Sequence, residues 1–378
     1  SWHWIFFLNI PLGIPVIALF ARFFPHTGVS GLKHRIDYLG MVILILAVVP
    51  LMLALSWGGV QYQWGSPQVM GAFILAALMA ATFIMVELRA PEPILPLEIF
   101  RNPVVSISMI AIFLTGFGMM GSIIFLPLFF QGVLGASATS SGSFLTPMML
   151  GLQAGAILSG QALSRLGGRY RTQGLVGLGA LALGLFMLSR VGVHTSYGQA
   201  VFDIVIIGFG LGMTFPVFTI AVQNAVPYRV MGIATSSTQF MRSIGGSVGL
   251  AILGALMVSR FSSALAVNTP AAVRQVLPPD RLAQIANNPQ ALVRPEAMAS
   301  LQDSFAQMGP QGAALAQQFV QALRTALASA IDHVFFISVI AVSVAFLATL
   351  FLKEIPLKGR EPQMQAQPSP APVRGGSK

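Results

Sequence analysis

The sequence predicts an all-α fold: a polytopic bundle of transmembrane helices with about nine spans. Three observations predict it. Of 378 residues, 55% are hydrophobic and only 8% are charged, whereas a water-soluble domain carries about a quarter charged residues. Mean hydropathy is +0.78. Apolar runs of about 20 residues, enough to cross the hydrocarbon core as a helix, recur along the chain.

The runs lie at residues 3–23, 38–57, 69–89, 103–130, 140–163, 173–191, 198–222, 230–259 and 328–352. They are continuously apolar, with Gly, Ala and Pro mixed in, as spanning helices tolerate. Barrel strands would instead alternate apolar and polar residues with period two. The first run lacks a basic leader and a small-residue cleavage site, so it does not read as a secretory signal. Ser1 is therefore expected to lie inside a longer polypeptide.

Loop charges orient the bundle. Basic residues fall in alternate connections: Lys33 and Arg35, then Arg89 and Arg101, then Arg165, Arg169 and Arg171, then Arg229. The tail adds Lys353, Lys358, Arg360, Arg374 and Lys378. The intervening loops 58–68, 131–139 and 192–197 carry no Lys or Arg. The positive-inside rule then places the basic loops and the C-terminus in the cytoplasm. The formal net charge of +10 reads as this topology bias, and no nucleic-acid partner is expected. Residues 260–327 form a long extracytoplasmic loop, exempt from the charge rule by its length. Its Pro278, Pro279 and Pro295 break the first part, while Ala314, Leu315, Phe319 and Leu323 predict a helix over 311–327. The tail 359–378, rich in Pro, Gln and Gly, is expected to be disordered.

Polar groups within spans are costly and are candidates for function. Arg242 lies well inside its span, with Gln239 one turn before it; an arginine at mid-helix costs about 2.5–3.5 kcal/mol to insert. A long helix that projects into the cytoplasm would let Arg242 snorkel instead. Asp203 and Asp332 lie near the outer ends of their spans and could titrate in a pathway, or sit at headgroup level. Gln153 and Asn224 could line a cavity or bond neighbouring helices. Gly245, Gly246 and Gly249 follow Arg242 on small-residue spacing, which lets helix backbones approach closely. Pro127, Pro147 and Pro216 interrupt spans.

No soluble-enzyme constellation is present: no P-loop, no HExxH, no GxSxG. With no cysteine there is no thiolate chemistry and no Cys-based metal site. The chain reads as neither an enzyme nor a metal carrier, and no cofactor is expected.

Five segments carry a family resemblance. Ser1-Trp-His-Trp-Ile-Phe-Phe-Leu-Asn-Ile-Pro-Leu-Gly13 resembles the sixth helix of the fourteen-span EmrB/QacA-type drug:proton antiporters of the major facilitator superfamily, with His3 where the family has Arg. Asp37-Tyr-Leu-Gly40 resembles the start of their seventh helix, and Ile94 through Pro103 the loop before the ninth. Gly160-Gln-Ala-Leu-Ser-Arg-Leu-Gly-Gly-Arg169 resembles the superfamily's cytoplasmic loop motif G-x-L-x-D-R-x-G-x-R. Gly160, Arg165, Gly167, Gly168 and Arg169 fit it, while Ser164 stands where the motif has Asp. Gly232 through Gly249 resembles the thirteenth helix.

The resemblance implies a map. Residues 1–23 would be the last helix of an N-terminal bundle, 24–102 an inserted two-helix region, and 103–358 a C-terminal six-helix bundle. Five upstream helices would be missing, and with them much of the coupling machinery. It implies the C-terminal part of a multidrug efflux transporter in a bacterial inner membrane, driven by the proton gradient and working by alternating access. A small amphiphilic substrate and membrane lipid would be its partners, with a periplasmic adaptor and an outer-membrane tunnel known for some relatives. Export of an endogenous siderophore or lipid precursor, and a non-transporting membrane binding or assembly role, are the alternatives.

Overall fold

A computed structural model describes residues 7, 9–23, 37–59, 61–90, 93–136, 145–165, 168–192, 195–277, 279–287, 305 and 310–355. The tail 359–378, Gly167, His3 and the basic pair Lys33 and Arg35 lie outside the described residues. Among these residues the regular structure is helical, with one isolated bridge between Gly58 and Tyr62.

The helices are α1 Asn9–Phe23, α2 Tyr38–Trp57, α3 Pro67–Glu87, α4 Pro103–Gly132, α5 Leu145–Arg165, α6 Tyr170–Leu188, α7 Tyr197–Ala225, α8 Met231–Asn268, α9 Ala271–Val276, α10 Pro279–Asn287 and α11 Pro310–Leu350. Seven of them (α2, α3, α4, α6, α7, α8 and α11) are long and apolar enough to cross a membrane. The described part of α1 is shorter. In α5, Gln153, Ser159, Gln161 and Ser164 dilute the apolar character. Local sequence sets several starts. Asp37 caps α2 by accepting from Gly40 N at 2.8 Å. Asn102 caps α4 by accepting from Val104 N at 2.9 Å, and Pro103 takes the first helical position, where no N–H is needed.

Helices α4 to α8 and α11 form the packed body. α7 lies against α4, α5 and α6, and α11 against α4, α6 and α8. α2 and α3 pair with each other and stay largely uncovered, with 28% and 17% of their apolar windows buried, against 61% for α4 and α7. No residue of α1 is buried. In a membrane protein such apolar exterior meets lipid rather than water.

In the 260–327 segment, helix reaches in from both sides. α8 continues to Asn268 and α11 begins at Pro310. The reason is packing. Leu253, Met257, Phe261 and Leu265 are all buried along one stripe of α8, at the four-residue spacing that places side chains on one face. Phe319, Leu323, Leu327 and Ile331 do the same along α11. Pro270 then stops α8. The predicted helix 311–327 is thus the N-terminal half of the last long helix, continuous with the run 328–352 up to Leu350.

Candidate functional site

Arg242 sits eleven residues into α8, about 16 Å along its axis. Its guanidinium lies over the Phe215 ring of α7, 4.1 Å from the centroid. Nη1 donates to Gln239 Oε1 at 3.0 Å, one turn back on the same helix. Nε is buried with no hydrogen-bond partner. The side chain is half-buried and reaches across to α7. A desolvated cation over a ring gains about 2 kcal/mol, which offsets much of the cost of placing it in a span. Phe215 directly precedes Pro216, which leaves α7 one ladder hydrogen bond short at this level.

The backbone beneath Arg242 is in direct contact with α4. The Arg242 carbonyl lies where a Cβ on Gly116 would stand, and the Phe113 carbonyl where one on Gly245 would stand. A Cβ on Gly249 would meet Phe117 Cα at 2.8 Å, and one on Gly246 would meet Met120 Cγ at 2.8 Å. Only glycine permits this approach. A second seam of the same kind joins α5 to α7, where Gly151 and Gly155 face Phe209 while Gly208 and Gly212 face Met148 and Leu152.

Asp203 lies in the second turn of α7 and is 0% exposed. Both carboxylate oxygens are buried without a hydrogen-bond partner. Its carbonyl stands 3.1 Å from the Cβ position of Gly184 on α6, so this turn is pressed against that helix. Burying a carboxylate in this setting without a hydrogen-bond partner is costly. Asp332 on α11 is half-buried, with Oδ1 also lacking a partner. The neighbouring His333 is exposed, with Nδ1 2.9 Å from Ser329 O.

Other expected residues fall elsewhere. Gln153 is exposed on α5. Asn224 is buried at the end of α7 and donates to Ile355 O at 3.2 Å, tying α7 to the segment after α11. Tyr170, 0% exposed at the start of α6, bonds the same point: its hydroxyl accepts from Ile355 N and also meets the Asn224 side chain. Asn224 is thus part of a clasp between three helix ends rather than a cavity lining. Sequence reasoning missed Tyr170; a tyrosine directly after Arg169 at a span boundary was the available clue. In the glycine-rich loop, Gly168 has φ of +83°, a left-handed conformation that favours glycine. Arg165 and Arg169 are exposed, and the Cβ position of Gly160 meets nothing within 4 Å. Among the described residues, Arg242, Asp203 and Asp332 stand on three different helices, with no hydrogen bond joining them. No group of three or more His, Asp or Glu side chains among those residues could hold a metal ion.

Comparison with known proteins adds to this geometry. The family described as Major Facilitator Superfamily matches residues 1–250. Multidrug transporter protein MdtP of Bacillus subtilis is 33% identical over 97% of this chain and 67% of its own length. Multidrug resistance protein 3 of the same organism is 29% identical over 95% of this chain and 66% of its own. A tetracycline resistance determinant of Streptomyces rimosus is 36% identical over 58% of this chain and 63% of its own. The chain spans from about half to two thirds of the length of the curated relatives that match nearly all of it.

Proposed function

The chain belongs to the major facilitator superfamily, and on that premise we propose that it serves proton-coupled export of amphiphilic drugs by alternating access. It is a multi-pass membrane transporter rather than an enzyme. The drug reading is supported by relatives named as multidrug transporters and as a tetracycline resistance determinant.

The observation that carries proton coupling is Asp203. A carboxyl group 0% exposed, with both oxygens unpartnered, changes its local energetics sharply when it gains or loses a proton. A ligand shifts a two-state equilibrium only by its differential affinity for the two states. A proton held on Asp203 in one state and released in the other meets that requirement. The glycine seams at α4–α8 and α5–α7 supply smooth backbone contacts along which helices can shift, and Arg242 anchors α8 to α7 across them.

The test is dye efflux from a pump-deficient bacterial strain expressing the full gene product. Efflux that collapses with an uncoupler is expected. Asp203→Asn should flatten the dependence of efflux rate on external pH while membrane abundance stays unchanged. An unaltered pH profile in that variant would remove Asp203 from coupling, and dye retention equal to the empty strain would remove drug export.

A further inference from the structure

Helix α8 carries a polar face that its packing leaves open. Ser236, Gln239 and Ser243 are exposed, and Ser247 is half-buried. Their spacing of three and four residues puts them on one side of the helix. Gly245 and Gly249, which abut α4, lie on the opposite side. Against hydrocarbon such polar groups are costly, so a face of this kind belongs against protein or a water-filled route.

Arg242 stands at the edge of this face. Its partners among the described residues are the Phe215 ring and Gln239 Oε1. Neither carries a charge. Helix α8 has no acidic residue, and the one acid of α7, Asp203, is twelve residues from Phe215, about 18 Å along the axis. Stacking on the ring occupies one face of the guanidinium and leaves its in-plane N–H donors directed sideways. Nη1 gives one to Gln239, while Nη2 makes no hydrogen bond and is not buried. Gln239 accepts through Oε1, so its amide N–H groups are left to donate. The Ser243 hydroxyl has no hydrogen bond among the described residues; only the Ser243 carbonyl is engaged, by Ser247. Three donors, one of them cationic, thus gather within five residues of α8. A cation fixed on a ring with no acid beside it favours an anion, and the guanidinium fork suits a carboxylate. Leu250, two turns beyond Ser243 on the same side, is exposed and offers apolar contact to the body of a ligand.

We infer that this face of α8 binds the anionic group of the exported amphiphile, so that the transported class is an apolar ring system bearing a carboxylate. The carboxylate accepts from Arg242, and Gln239 and Ser243 donate to its second oxygen or to a neighbouring carbonyl. A lipophilic cation of the same size finds no acid here and meets like charge. The inference rests on the export reading, because it takes this face as part of the route.

Equilibrium dialysis of the full 378-residue chain in phosphatidylcholine nanodiscs, with empty nanodiscs as the blank, provides the test. Two xanthene dyes of one ring system serve as probes, fluorescein as the carboxylate and rhodamine 6G as the cation. Fluorescein is expected to bind about tenfold more tightly, the scale of one hydrogen bond to a charged group. Arg242→Gln should erase that preference, and Arg242→Lys should keep part of it. Equal binding of the two dyes, a preference for rhodamine 6G, or a preference that survives Arg242→Gln overturns the inference. Should Arg242→Gln misfold, seen as a lowered thermal midpoint, phenylglyoxal labelling of arginines in the wild-type chain decides. Fluorescein should shield Arg242 from the reagent and rhodamine 6G should not; equal labelling of Arg242 with either dye present would exclude the site. Binding is read without transport, so dye retention in cells expressing the full gene product bears on export alone, and the dialysis bears on the ligand class.

Discussion

Two polar side chains at helix ends illustrate how single buried residues come to matter. Tyr170 and Asn224 converge on the backbone of Ile355 from different helices. Replacing Tyr170 by Phe leaves the Ile355 N–H without that acceptor, at a cost of about 1–3 kcal/mol. A Tyr170→Phe variant should therefore unfold in detergent several degrees below wild type, with little change for the exposed neighbour Arg169→Ala; circular dichroism melts check both. Arg242 is held by a ring face and one amide oxygen. Arg242→Lys keeps the charge but loses the planar stack and fork. Efflux by the full gene product should fall at least tenfold in Arg242→Ala and by less in Arg242→Lys, at equal membrane abundance. Normal efflux in the alanine variant would leave Arg242 with a packing role alone. The sequence marked Arg242 and Asp203 as costly groups in apolar runs. It did not show that Arg242 reaches Phe215, because that contact joins residues 27 positions apart on separate helices.

Among elements, α8 is the most informative. Its glycines divide by environment: Gly245, Gly246 and Gly249 abut α4, whereas the Cβ position of Gly254 meets nothing within 4 Å. Gly245→Leu should force α4 and α8 apart, at about 1–3 kcal/mol or more, and lower the thermal midpoint. Gly254→Ala should be neutral or stabilise the helix by up to about 1 kcal/mol. A common response of both variants would show that the seam is not a true contact. The spacing of these glycines was legible beforehand, since small residues repeated on one helix face signal close approach. Their partner was not, because α4 lies more than a hundred residues earlier. Both α8 and α11 run past the apolar stretches read from hydropathy, for a related reason. Hydropathy locates the most apolar stretch, but the stripe of buried residues that holds the helix together, such as Phe261 and Leu265, continues beyond it.

At the scale of the whole molecule, the helical membrane class was readable from composition and run length alone. The order of the runs followed too, because each is bounded by loop residues. The packing partners did not follow. Apolar spans look alike from every side, and only side-chain fit decides that α7 lies at the centre while α2 and α3 stay outside. The natural absence of cysteine makes orientation directly measurable. Single-cysteine variants at Tyr62 and at Arg169 should react with a membrane-impermeant maleimide from opposite faces of sealed cells and inverted vesicles. Reaction from one common face would overturn the alternating arrangement of loops.

The lengths of α8 and α11 carry a mechanical corollary. With 38 and 41 residues, each is about 60 Å long, roughly twice the oily layer it crosses. The two pack side by side, so they form a stiff mast standing on one leaflet. Any small swivel where Arg242 grips α7 is magnified at the far tip. A fluorophore pair fixed to that tip and to the α2–α3 hairpin would report any such swivel directly.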